Sequence, residues 1–121
     1  MAAAARMRRV NEAVREVVSA HIAQDLSDPR IGFVTVTAVD TSPDLRQARV
    51  FVTVLGEGER RESALTGLES ARGYLQAQVG SELRMKRTPT LSFSYDESTD
   101  RALRISAMLE ADDRSRGEAG S

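Results

Sequence analysis

The chain predicts an α+β fold in which helices cover one face of a small three-stranded sheet. Two stretches, Phe33 to Val39 and Arg46 to Leu55, are rich in Val and Thr and alternate with a two-residue period. Between Glu59 and Val79 the apolar residues Ala64, Leu65, Leu68, Ala71, Leu75 and Val79 recur at helical spacing. A third alternating stretch, with Leu91, Phe93 and Tyr95 on one side and Thr90, Ser92 and Ser94 on the other, follows that helical region. A connection of this length is a crossover and should be right-handed.

The first element is a helix from Arg6 to Gln24. Met7, Val10, Val14, Val17 and His21 share one face, flanked by Val18 and Ile22. Full burial of such side chains is worth about 1.5–3 kcal/mol each, enough to anchor the helix to a sheet. Asp28-Pro29 ends the segment, because a residue before proline avoids the helical region.

The first two strands form an antiparallel hairpin joined through Asp40-Thr41-Ser42-Pro43-Asp44. Ala48, Val50, Val52 and Val54 lie on one face of the second strand; Gln47, Arg49, Phe51 and Thr53 lie on the other. Gly56-Glu57-Gly58 breaks the hairpin and leads into the helical region.

Gly73 interrupts that region. A glycine inside a helix costs roughly 1 kcal/mol relative to alanine. It marks either a kink at Ala71-Arg72-Gly73, where the missing Cβ admits another backbone, or an ordinary helix with one tolerated glycine. Gly80 reads as a C-cap, and Pro89 stands at the start of the third strand, where a missing N–H does least harm. Asp96 to Thr99 forms a loop capping a last short helix, with Leu103, Met108 and Leu109 turned inward. The order is α-β-β-α-(kink)-α-β. Residues 1–109 form one domain and residues 110–121 a polar, disordered tail. Helix, break, helix against a three-stranded sheet is the layout of a KH-type RNA-binding module.

Composition narrows the function. The chain has no cysteine, which excludes a disulfide scaffold, a zinc ribbon and cysteine catalysis and suits a reducing cytosol. No apolar run reaches the ~18 residues of a membrane span, and Ala2 to Ala5 is too short for a signal-peptide core. A soluble cytoplasmic protein is expected. The net charge is −1, but it is unevenly distributed. Arg6, Arg8, Arg9 and Arg15 face one acid, Glu12, in the first fifteen residues, while Glu110, Asp112, Asp113 and Glu118 dominate the tail. The local field, rather than the total, steers an anionic ligand.

Catalytic chemistry finds little support. The one histidine, His21, lies on the apolar face of the first helix near its C-terminus, where its charge suits the dipole. Asp96, Glu97 and Asp100 could hold a hard cation, but acids and a capping side chain belong at a helix N-terminus. Asp25 and Asp28 fit a helix-ending loop. Gly56-Glu57-Gly58 lacks the third glycine of a dinucleotide loop, and the GxxG of Gly117 to Gly120 lies in the tail.

The basic residues are more informative. Arg6, Arg8 and Arg9 oppose the dipole at a helix N-terminus, at a cost of about 0.3–1 kcal/mol. Arg8 and Arg15 lie beside Asn11, away from the valines. Arg84, Lys86 and Arg87 precede the third strand, and Arg72 stands at the proposed kink. Each cluster alone reads as a solvated face; three around one kink favour a phosphate backbone. A GC-rich genome would also enrich arginine over lysine. Phe33, Phe51, Phe93, Tyr74 and Tyr95 fall mostly at core-compatible positions and make no clear stacking platform. Structured RNA read by shape is the better fit.

From Arg9 to Met108 the chain resembles the ribosome-binding factor A family. The resemblance rests on Arg9-Val10, Asp28-Pro29-Arg30, Val34 to Val39, Ser42-Pro43-Asp44-Leu45 with Ala48 and Val50, Ala71-Arg72-Gly73-Tyr74, Pro89-Thr90-Leu91-Ser92-Phe93 and Tyr95-Asp96-Glu97-Ser98. It implies a type II KH-like fold in which an Ala-x-Gly kink, Ala71 and Gly73 here, replaces the GxxG loop. It implies binding to the 30S subunit on 16S rRNA during late processing, importance in the cold, and release by a ribosome-associated GTPase. No catalysis, cofactor, metal or membrane is implied, and the chain is expected to act as a monomer.

The expected RNA-binding residues are Arg6, Arg8, Arg9, Asn11, Arg15, Arg72, Gly73, Arg84, Lys86 and Arg87. Gln76 and Lys86 stand where family members often carry arginine. Rival readings are a general KH-like RNA chaperone, a protein-interaction domain pairing through an exposed sheet edge, and a small metal-dependent hydrolase built on Asp96, Glu97 and Asp100.

Overall fold

The computed structural model describes residues 2–56, 58–98 and 108–109. Six elements follow in the order α1 (Ala2–Asp25), β1 (Val34–Thr41), β2 (Gln47–Val54), α2 (Glu59–Ser70), α3 (Arg72–Leu83) and β3 (Thr90–Tyr95). The sheet order is β1-β2-β3, with β1 antiparallel and β3 parallel to β2. Parallel neighbours cannot be joined by a tight turn, so the helical segment α2–α3 makes the crossover. This is the α+β, type II KH-like arrangement. Because β2 is central, its inward residues Ala48, Val50 and Val52 are fully buried, against Val14 and Val18 of α1, Ala64 and Leu68 of α2, and Leu75 and Val79 of α3.

Several boundaries and faces differ from expectation. The buried row of α1 is Val14, Val18 and Ile22, while Val10 and Val17 are half-buried. The helix packs on both β1 and α3, so the row aimed into that junction is deepest and the expected row, with His21, is turned toward α3. In β1 a bulge between Val36 and Ala38 switches the strand's phase. Val34 and Val36 face inward before it, Val39 and Thr41 after it. The strand thus runs two residues past Val39, and the turn moves to Ser42–Arg46. There Ser42 N donates to Gln47 O at 2.8 Å and Leu45 adopts a φ of 60°. Asp44 Oδ1 holds the turn by accepting from Ser42 Oγ at 2.6 Å and from Arg46 N at 3.0 Å.

The helical break falls at Ala71, with φ −91° and ψ 1°. Its N–H is shared between Gly67 O at 3.2 Å and Leu68 O at 3.0 Å, and its carbonyl accepts from Leu75 N at 3.0 Å. Both backbone groups of Ala71 thus stay hydrogen-bonded at the bend, and α2 lies on β3 while α3 reaches α1. Gly73 is exposed within the first turn of α3, and a Cβ there would meet nothing within 4 Å. The close approach expected at Gly73 occurs instead at Gly67, where a Cβ would stand 2.8 Å from Ile31 Cγ1. Gly80 is likewise no C-cap. It packs against Thr88, and α3 continues to Leu83 before Arg84 turns left-handed at φ 49°. Met108 and Leu109 are 70% and 59% exposed, not inward. Leu103, Asp100 and the tail lie outside the described residues. Among the described residues, no helix is long and apolar enough to cross a membrane.

Candidate nucleic-acid interface

Helices α1 and α3 run antiparallel. Asp25 at the end of α1 meets Tyr74 in the first turn of α3, whereas Arg9, Val10 and Ala13 share a groove with Leu83 at the far end of α3. The loop from Arg84 to Pro89 then passes the N-terminal half of α1, and the β1–β2 turn closes beside it. One open groove is lined by Arg6, Arg9, Val10, Ala13, Leu83 and Met85. A second shares Arg6, Val10 and Met85 with it and adds Asp44, Leu45, Arg46, Lys86 and Arg87.

The fold therefore joins two of the three basic clusters into one cationic end. These cations are free to meet an external anion. Among the described residues, no ion pair engages Arg6, Arg8, Arg9, Arg84, Lys86 or Arg87. The first turn of α1 holds no acid. Asp44, the one carboxylate among the described residues lining these grooves, lies 3.9 Å from Arg46 Nε. Its carboxyl is held below the ordinary range, first by the Ser42 hydroxyl and then by the Arg46 N–H.

The other expected site residues are placed differently. Arg15 is engaged by Glu12 one turn earlier. Arg72 Nη1 lies 2.6 Å from Glu69 Oε1. The start of α3, where Arg72 and Gly73 stand, is roughly 16 Å along the axis from Leu83, so the kink and the cationic end are separate places. Asn11 Oδ1 accepts from Thr41 N at 2.9 Å, and Gln76 Oε1 accepts from Leu91 N at 2.8 Å. These two amides cap backbone N–H groups on the outer strands β1 and β3, which blunts both edges of the sheet. An arginine at position 76 has no acceptor and could not do this.

Sequence reading missed Arg46, taken there as a strand residue, and the apolar floor of Val10, Leu83 and Met85. A signal for Arg46 was present. In a crossover-connected parallel pair the two strand starts lie at one end of the sheet, and Thr90 N indeed donates to Arg46 O at 2.8 Å. Arg46 must then neighbour Lys86 and Arg87.

The remaining polar clusters are tied up within the fold. His21 donates to Asp25 and, at 2.9 Å, to Glu82 Oε2, while the Tyr74 hydroxyl also donates to Asp25. Hydrogen bonding to Asp25, then to Glu82, raises the imidazole's pKa; the bond from His21, then that from Tyr74, lowers that of Asp25. Asp96 accepts from Ser98 N at 2.9 Å and from Thr37 Oγ1 at 2.6 Å, with Glu97 and Ser98 opening a helical turn. Ser98 and then Thr37 lower its pKa. It has the geometry of a capping side chain.

The class is a KH-like α+β domain with one cationic end that has no ion-pair partner among the described residues. The comparisons with known proteins name its family. The family profile described as Ribosome-binding factor A matches residues 6–109. Ribosome-binding factor A of Geobacter sulfurreducens is 42% identical over 112 residues, which covers 93% of this chain and 95% of that protein. The crystal structure of ribosome-binding factor A from Thermus thermophilus superposes with a TM-score of 0.67 at 31% identity, covering 74% of this chain and 94% of that one. A homology model of the Thermus thermophilus factor, fitted into the cryo-EM map of its complex with the 30S subunit, gives a TM-score of 0.61 at 32% identity. It covers 72% of this chain and 91% of that one. The chain belongs to the ribosome-binding factor A family.

Proposed function

We propose that residues 1–109 form a single non-enzymatic RNA-binding domain that acts in the cytoplasm on the maturing 30S subunit. It binds 16S rRNA during late processing, matters most in the cold, works as a monomer, and is released by a ribosome-associated GTPase. Membership of the family supports the processing, cold and release parts of this reading. The observation that carries the RNA contact is the convergence of Arg6, Arg9, Lys86 and Arg87, all without an ion-pair partner among the described residues, on one end of the molecule. Like charges gathered without counterions repel one another, and a phosphate backbone relieves that repulsion. Arg8 and Arg84 extend the same edge. Arg15, Arg72, Asn11 and Gly73 contribute less, because the first three already have partners and Gly73 lies in the kink segment.

Sucrose-gradient sedimentation of lysate tests the address. The protein should travel with free small subunits, and cells lacking it should accumulate precursor 16S rRNA, more so at low temperature. Association only with assembled ribosomes would overturn the reading. RNA binding without sedimentation on small subunits would favour a general chaperone.

A further inference from the structure

The cationic end has a floor as well as a rim. Val10, Ala13, Leu83 and Met85 are half-buried between Arg6 and Arg9, and the adjoining groove continues over Val10, Leu45 and Met85 to Arg46, Lys86 and Arg87. A ligand that offered phosphates alone would meet the rim and leave this apolar surface wet. We propose that the groove seats one unpaired RNA nucleotide. Its base lies on Val10, Leu83 and Met85, and its flanking phosphates are held by Arg6 and Arg9 on one wall and by Lys86 and Arg87 on the other. This rests on the nucleic-acid reading above and specifies what that reading leaves open.

Three features favour a base over other occupants. A base is flat and apolar on its faces and attached to anions at both ends, which matches an apolar floor between cationic walls. Methionine sulfur makes favourable contacts with aromatic rings and adapts to their outline, so Met85 can serve where no aromatic platform exists. An acidic amphipathic helix would need a continuous apolar trough to take side chains at i, i+3, i+4 and i+7. Here the floor that the two grooves share is Val10 and Met85, too short a row for such a helix, with Arg6 beside them. Unpaired, splayed nucleotides are also the part of RNA that proteins read by contact with bases.

The full chain should be titrated with two RNA hairpins that differ only by one unpaired adenosine in the stem. The bulged hairpin should bind roughly 2- to 10-fold more tightly, the range expected of a sulfur–ring contact. Met85→Ala should remove most of that preference, bringing the ratio of the two affinities close to one. A second measurement needs no variant: 2-aminopurine at the bulge should change its fluorescence when the parent protein binds. Equal binding of both hairpins, with no fluorescence change at the bulge, would overturn the seated base while sparing phosphate binding. If neither RNA binds but polyglutamate does, the nucleic-acid reading falls too.

Discussion

The two ends of the α1–α3 pair both carry cations and treat them in opposite ways. At the bend end each has a carboxylate: Arg30 donates to Asp28, Arg72 pairs with Glu69, and His21 lies between Asp25 and Glu82. At the other end Arg6, Arg9, Lys86 and Arg87 have none among the described residues. Exposed pairs of the first kind are each worth about 0–1 kcal/mol to the fold. An unpaired cluster gives the fold nothing and costs it some repulsion. Arginine stands at both ends. What distinguishes structure from interface is whether a side chain's charge is answered within the chain.

Removing cations from each end in turn should break the comparison most sharply. Arg6→Ala with Arg87→Ala should weaken binding to small subunits on the order of tenfold or more and lower the salt slope by nearly two units. Arg30→Ala with Arg72→Ala should stay within about threefold with the slope nearly intact, because paired guanidiniums release few counterions. Filter binding across a salt series measures both. Equal losses from the two double variants would make the kink part of the interface again.

How much of this was legible in the sequence follows from what each residue's role depends on. The element order came from hydrophobic period and turn chemistry, which are local. The inward face of β2 did too, since Ala48, Val50, Val52 and Val54 are all buried. The bulge in β1 was hidden, because Val34 to Val39 alternates well enough to conceal one extra residue. The role of Gly73 was misplaced for a similar reason. A helical glycine is visible in any sequence, but whether it meets a neighbour depends on a distant residue such as Ile31 or Thr88. The basic clusters were found, whereas their pairing was not. Arg15 with Glu12 and Arg72 with Glu69 are i,i+3 neighbours that spacing alone could have exposed.

Two glycines sharpen the account of the bend. Gly67→Ala should destabilise by about 1–3 kcal/mol through overpacking, since the new methyl would collide with buried Ile31. Gly73→Ala should leave the fold intact or gain up to about 1 kcal/mol of helix propensity. Urea titrations of both variants decide this. Stabilisation combined with weaker small-subunit binding would keep a functional role for Gly73. Unchanged binding would make it a tolerated glycine.

A smaller effect is expected from Arg8→Ala with Arg15→Ala. Arg8 is exposed and has no ion pair among the described residues, while Arg15 is engaged by Glu12. The salt slope should therefore fall by about one unit rather than two. Thermal melts should show the fold intact, because neither side chain lies on the Val14–Val18–Ile22 row. A fall of two units would mean that Glu12 releases Arg15 when RNA binds, and an unchanged slope would remove this flank of α1 from the interface.

The smallest effect is a pH dependence set by the His21–Asp25–Glu82 network. His21, whose ordinary pKa is 6.5, is raised by its bonds to Asp25 and Glu82. Its contribution to stability is therefore fully present below 6.5 and is lost as pH rises through the higher folded value. Asp25 is lowered from 3.8 by His21 and Tyr74, so its contribution is present above 3.8 and is lost as pH falls through the lower folded value. The tie between α1 and α3 is thus complete from about pH 4 to 6.5 and weakens on the alkaline side. Melts of the parent and His21→Gln should differ most near pH 5.5 and converge toward about pH 9. RNA binding compared between the same two proteins at constant salt should not follow that difference, because His21, Asp25, Glu82 and Tyr74 are not among the residues that line the two cationic grooves. A gap in melting temperature that stays constant from pH 5.5 to 9 would show that His21 acts by packing against Tyr74 rather than by charge. An affinity that tracked the gap would join the two ends into one device.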